Sequence, residues 1–134
     1  MAQLPRGLRN NNPLNIVKGN KWLGEVQPQT DPHFEQFETL EMGLRAGFII
    51  IRNYINRRIN TPQLIISRWA PPSENDTSRY IYTVCHRANL KYNERLCFTD
   101  KNKLCRLVWA MCYMENGQEV SFGRIENAYE LAKH

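Results

Sequence analysis

The chain has 134 residues, 42% hydrophobic and 23% charged, and a net charge of +5. Length and balance fit one globular domain spanning 1–134, with a real core, and exclude an intrinsically disordered chain. No apolar run nears the roughly 20 residues of a membrane span, and the basic surface suits an anionic polymer: nucleic acid, an anionic membrane face or the bacterial wall.

The segment from Met1 to Asn12 carries arginines but neither an apolar stretch nor a cleavage site. A secretory signal is therefore not expected, and a protein made in the cytoplasm would need something else to deliver it to a target outside. Residues 1–13 read as polar and irregular, and Pro13 pushes Asn12 to an extended conformation. The short segments Asn15–Lys18 and Lys21–Gly24 flank a Gly19-Asn20 pair and predict a β-hairpin. Phe34 and Phe37 follow in an extended stretch.

From Thr39 the apolar period changes. Leu44, Phe48, Ile51, Ile55 and Ile59 fall at steps of four and three, one face of a long helix capped by Thr39. Thr61-Pro62 opens a second helix with a cap and a proline at its first turn. That helix carries Leu64, Ile65 and Trp69 and stops before Pro71-Pro72. Glu74-Asn75-Asp76-Thr77 is a loop rich in capping residues, followed by Tyr80, Ile81 and Val84 on another helix. Thr99-Asp100 caps a helix with Leu104, Leu107, Val108, Met111 and Met114 at helical spacing, and Gly117 is a natural terminator. Ser121 begins a last helix through Ile125, Ala128 and Tyr129. The expected fold class is mainly α, with a small β-hairpin near the N-terminus.

The cysteines, Cys85, Cys97, Cys105 and Cys112, form no C-x-x-C pair and no zinc-type spacing with histidine. Cys105 and Cys112 share a helix face roughly 10 Å apart, too far for a disulfide. They read as free thiols from a reducing compartment, and neither a metal nor a cofactor is expected.

No nucleophile elbow, phosphate loop, dinucleotide fingerprint or H-E-x-x-H is present, and His33, His86 and His134 are scattered. The carboxylates carry more. Glu115 lies in the last turn of an apolar helix. Apolar neighbours and the negative end of the helix dipole both disfavour its charged form. A raised pKa is what a general acid requires at neutral pH, although most glutamates at helix ends are simply solvated. Glu25 and Asp31, flanking Pro28, are spare carboxylates that would let water be activated or a cationic sugar be stabilised. Trp22, beside the Gly-Asn pair, is the better placed tryptophan for stacking on a sugar ring, while Trp109 reads as core. The amides of Asn10, Asn11, Asn12 and Asn15 suit either N-acetyl groups and hydroxyls or local Asx-turns.

Arg6-Gly7-Leu8-Arg9-Asn10-Asn11-Asn12-Pro13-Leu14-Asn15-Ile16, then Trp22-Leu23-Gly24-Glu25, Asp31, Phe34-Glu35-Gln36-Phe37 and Gly43-Leu44-Arg45-Ala46, resemble a family of small phage and prophage proteins described as virion structural or lysozyme-like. Trp69 to Thr77 and Tyr80-Ile81 continue the likeness, which covers roughly residues 6–84. A second resemblance is to lysozyme-like transglycosylases and glucosaminidases. Glu115-Asn116-Gly117 is similar to their helix-ending Glu-Ser-Gly, with asparagine in place of serine. Asn12 to Ile16 with Phe34 and Phe37 is similar to their hairpin region, and Asn75 to Ile81 to their late Glu-Thr-Arg-x-Tyr-Val signature. The glutamate comes last instead of first, so the resemblance implies a circularly permuted lysozyme-like domain, a rearrangement tolerated where termini lie close together at the surface.

The expectation that follows is a lytic transglycosylase or muramidase acting on the β-1,4 glycan of peptidoglycan. Glu115 is its acid, with Glu25 or Asp31 assisting, and Asn11, Asn12, Asn15, Trp22, Glu74, Asn75 and Tyr80 contact the glycan. Such a protein would reach the wall through a virion, a holin or a secretion apparatus. The alternative is a non-catalytic virion component or wall-binding module. A third reading, a nucleic-acid-binding helical domain, fits the basic stretch Arg52 to Arg58 but lacks a recognition helix, so no nucleic-acid partner is expected; nor, without a long apolar run, is membrane insertion.

Overall fold

The computed structural model describes residues 3–134. Met1 and Ala2, the first residues of the segment read as lacking a secretory signal, lie outside them. Among the described residues six helices run in order: α1 (Arg6–Arg9), α2 (Leu40–Asn56), α3 (Pro62–Trp69), α4 (Thr77–Ala88), α5 (Lys101–Asn116) and α6 (Phe122–Ala132). No helix among these residues is long and apolar enough to cross a membrane.

The helix starts follow local chemistry. The Thr39 hydroxyl accepts from the Met42 amide at 3.2 Å, and Thr61 does the same for Leu64 at 3.2 Å. Asp76 and Asp100 cap α4 and α5 through the Arg79 and Lys103 amides. Each satisfies a donor that the first turn would otherwise leave open. Gly117 ends α5 at φ +71°, the left-handed geometry a glycine adopts freely. Ser121 precedes α6 but makes no side-chain cap.

Two expectations about extent are corrected. The first long helix stops at Asn56, short of Ile59, because the Arg57 and Ile59 amides both turn back to the Tyr54 carbonyl, each at 2.9 Å. The polar N-terminal segment is not wholly irregular but contains the single turn α1.

Helix α5 is the hub. Leu104, Cys105, Leu107, Val108, Ala110, Met111 and Cys112 are all fully buried, so the helix is apolar nearly all round, as a central helix must be. It packs on α4, α6 and the short α1, while α2 lies against α6 and α3 against α4. Burial pushes the Cys105 and Cys112 thiols up, which keeps both uncharged.

The hairpin predicted around Gly19-Asn20 is not what forms. Val17 bridges Phe34, and Glu25 bridges Phe37, both antiparallel. The Glu35 amide donates to the Ile16 carbonyl and the Lys18 amide to the His33 carbonyl, both at 3.0 Å. Residues 34–37 thus serve as a shared partner for two flanking segments. Gly19 takes φ +151°, outside either tight hairpin-turn geometry, so the chain opens into a wider loop there.

This N-terminal region lies directly on α2. A Cβ built on Gly43 would stand 1.9 Å from the Asn11 carbonyl oxygen. Only glycine lets the two backbones approach so closely.

Candidate functional site

The last turn of α5 carries Glu115, and the next residue fastens that turn in place. Asn116 is buried, and its amide donates to the Pro13 carbonyl at 2.7 Å and to the Cys112 carbonyl at 2.8 Å. The N-terminal segment is thereby drawn under the helix end. Asn15 adopts the left-handed conformation, φ +54°, one that asparagine tolerates better than most residues. From there its Nδ2 donates to Glu115 Oε1 at 2.8 Å. On the other side α4 supplies Tyr80, whose hydroxyl donates to Glu115 Oε2 at 2.9 Å. Three segments distant in sequence converge on one carboxyl group.

The electrostatics are a contest. Burial raises the Glu115 pKa above the ordinary carboxylate value, and the hydrogen bonds from Asn15 and Tyr80 pull it back. Burial wins. Tyr80 is itself held well above its usual value, first by burial and then by the neighbouring Glu115 charge, so it remains a hydroxyl donor. Beneath the cluster, a Cβ on Gly7 would stand 2.7 Å from Oδ1 of both Asn15 and Asn116. Both oxygens are buried without a hydrogen-bond partner.

Asn15 also lines a groove of about 320 Å³ together with Ile16, Val17, Asn20, Ile50, Tyr54 and Trp69. Tyr54 and Trp69 meet edge to face, with ring centroids 6.4 Å apart. The groove therefore offers aromatic walls and two side-chain amides, one of which, Asn15, also holds the Glu115 carboxyl.

Of the residues expected at a site, Glu115, Asn15 and Tyr80 are brought together. The others lie in different surroundings. Asn12 is fully buried, with Nδ2 donating to the Ile16 and Glu35 carbonyls and Oδ1 accepting from the Ile16 amide. Asn11 turns to the Phe37 carbonyl at 3.1 Å. Trp22 packs partly buried against the core. Glu74 and Asn75 sit exposed in the loop before α4, Asn75 reaching back to the Pro71 carbonyl at 3.3 Å. Asp31 is locked. It takes Arg6 Nε at 2.8 Å and a second guanidinium nitrogen at 2.6 Å, Asn10 Nδ2 at 2.9 Å, and the His33 and Phe34 amides. The Arg6 guanidinium holds the Asp31 carboxyl far below the usual carboxylate range, so it remains an anion fixing α1 to the loop.

Glu25 leads to a residue that sequence reasoning missed. Its Oε1 accepts from the Trp22 amide at 2.8 Å, and its carboxylate lies close enough to act on Glu35. Glu35 is only 3% exposed. Its pKa is pushed up to about 7, first by burial and then by the charge of Glu25, with Lys18 pulling the other way. A usable signal was the alternation in Phe34-Glu35-Gln36-Phe37. Side chains two apart on an extended segment share a face, so the buried Phe37 implies that Glu35 also points inward.

This pair has a consequence for stability. A carboxyl whose pKa is raised by folding favours the fold while protonated in both states. That contribution is complete below the unfolded value of 4.5 and is lost as pH climbs through about 7. The melting temperature is expected to fall between pH 5 and pH 8 in the wild type, and Glu35→Gln is expected to remove most of that fall. Equal slopes in scanning calorimetry would contradict it.

No family model matches the chain. Over 131 residues it is 39% identical to "Protein P5" of Pseudoalteromonas phage PM2, covering 93% of this chain and 80% of that protein. With identity that high across nearly the whole chain, the protein belongs to the family of the phage PM2 Protein P5.

Proposed function

We propose that this phage-family protein is a peptidoglycan-cleaving glycosidase with a lysozyme-like domain, circularly permuted, in which Glu115 is the general acid and then the base. The observation that carries the reading is the Glu115 carboxyl itself. It sits half-buried at a helix end, gripped by Asn15 and Tyr80, and Asn15 also lines an aromatic groove. A carboxyl held above its normal pKa and fixed in direction is the chemistry that protonating a glycosidic oxygen demands.

The steps follow from that arrangement. Protonated Glu115 gives its proton to the β-1,4 oxygen while the bond from that oxygen to the anomeric carbon breaks. The leaving sugar departs as an alcohol, and the remaining ring carries oxocarbenium character. Of the two carboxylates the sequence offers as assistants, Asp31 is held by Arg6 and Glu25 by the Trp22 amide, so we read Glu115 as acting without a second carboxylate to aim a water. Two-carboxylate hydrolysis requires such a partner within roughly 5–10 Å. We therefore favour intramolecular capture. The 6-hydroxyl of the muramic ring attacks the anomeric carbon, the Glu115 carboxylate takes the hydroxyl proton, and a 1,6-anhydro product leaves.

Tyr80→Phe tests the grip on the carboxyl. Without the hydroxyl, Glu115 loses one of two groups that favour its anion, so its pKa rises further. The alkaline limb of the pH–rate profile for sacculus solubilisation is expected to move upward, with activity lower by about tenfold at the optimum. An unmoved limb would remove Tyr80 from the acid's control.

A second reading is a virion component without chemistry, delivered to the wall as part of the particle. Its support is membership in a phage protein family. Incorporation into particles that release no muropeptides would favour it.

A further inference from the structure

We propose a phosphate-binding site, separate from the Glu115 cluster, formed by Arg58, Asn60 and Arg95. These three residues line a concavity of about 490 Å³. Both arginines are exposed, and among the described residues neither guanidinium makes an ion pair or a side-chain hydrogen bond. The nearest acid in sequence, Glu94, is already engaged. Its carboxylate takes Lys103 Nζ at 2.9 Å and the Lys91 amide at 2.6 Å. Two arginines whose guanidinium groups are unpaired among the described residues and one asparagine therefore line one hollow, and no carboxylate is among its lining residues. That donor set matches the oxygens of a phosphate group.

The backbone supplies an independent observation. Arg58 follows the end of α2 at φ +67°, the left-handed position that helices normally fill with glycine. For a residue with a Cβ this conformation costs roughly 1 kcal/mol. Here an arginine occupies it and lines the hollow. The backbone beside Arg95 is tied to the same segment, because the next residue, Leu96, donates its amide to the Asn60 carbonyl at 2.7 Å.

The ligand class is a phosphate monoester or diester. Its source is either a free phosphate compound or a lipid headgroup. The test titrates the full chain with inorganic phosphate and with glycerol phosphate, followed by amide chemical shifts. It also sediments the protein with phosphatidylglycerol vesicles against phosphatidylcholine vesicles. Saturable shifts at Arg58, Asn60 and Arg95 are expected. Arg58→Gly and Arg95→Gln should each weaken binding at least tenfold, while Lys21→Gln, a cation elsewhere, leaves it unchanged. Arg58→Gly should melt higher than the wild type, which separates loss of binding from loss of fold. Sedimentation with phosphatidylglycerol that Arg58→Gly abolishes assigns the headgroup; shifts with soluble phosphates alone assign the free compound. Absence of saturable shifts, or equal weakening by Lys21→Gln, would overturn the site and leave only diffuse attraction from net charge.

Discussion

Glu115→Gln is expected to lower muropeptide release from purified sacculi about a thousandfold, the scale of a lost general acid, without lowering the melting temperature. The second half distinguishes chemistry from folding. Glu115 has its pKa raised by burial, so the fold is favoured by the protonated form and penalised as pH rises through the folded value. Glutamine is neutral at every pH and similar in shape. Its oxygen still accepts from Tyr80, and its amide can donate to Asn15 Oδ1, which is buried and unpartnered, once the Asn15 amide turns over. At pH 8 the variant should therefore melt at or above the wild-type temperature. Activity that survives in Glu115→Gln would move the chemistry elsewhere, with the Glu25–Glu35 pair the next candidate.

Gly43→Ala should be the most damaging of the small substitutions. The added methyl would stand 1.9 Å from the Asn11 carbonyl oxygen and 3.2 Å from the Asn12 Cα. Neither neighbour is the tip of a flexible side chain, so backbone must move. Asn11 already sits at φ +52°, and Asn12 is fully buried in three hydrogen bonds. We expect a loss of about 3 kcal/mol and a melting temperature lower by about 10 °C. Because the same segment delivers Asn15 to Glu115, activity should fall even where the protein remains folded. Calorimetry and sacculus release on one preparation check both. A variant that melts with the wild type would mean that α2 and the N-terminal segment are not in such close contact.

The helices were legible because their signals are local. Thr39, Thr61, Asp100 and Gly117 each act within a few residues of themselves, and all sit where their chemistry predicts. The β pairing was not legible, since Val17 finds its partner at Phe34 and no turn residue announces that distance. The site divides in the same way. Glu115 was readable as a buried helix-end acid, a position set by its own helix. That Asn15 and Tyr80 would grip the carboxyl depends on contacts 100 and 35 residues apart, which spacing alone does not reveal. Asp31 looked like a free acid only because its partner, Arg6, lies 25 residues away. Asn12 looked like a ligand-binding amide because the carbonyls that occupy it come from folded backbone.

The central claim is tested most directly by mass analysis of the soluble products released from purified sacculi by the wild-type protein. The account predicts muropeptides ending in 1,6-anhydromuramic acid, as the proposed single-acid mechanism at Glu115 requires. Reducing-end products without the anhydro ring would contradict the single-acid mechanism, and no soluble product from the folded protein across pH 5 to 8 would contradict the glycosidase itself.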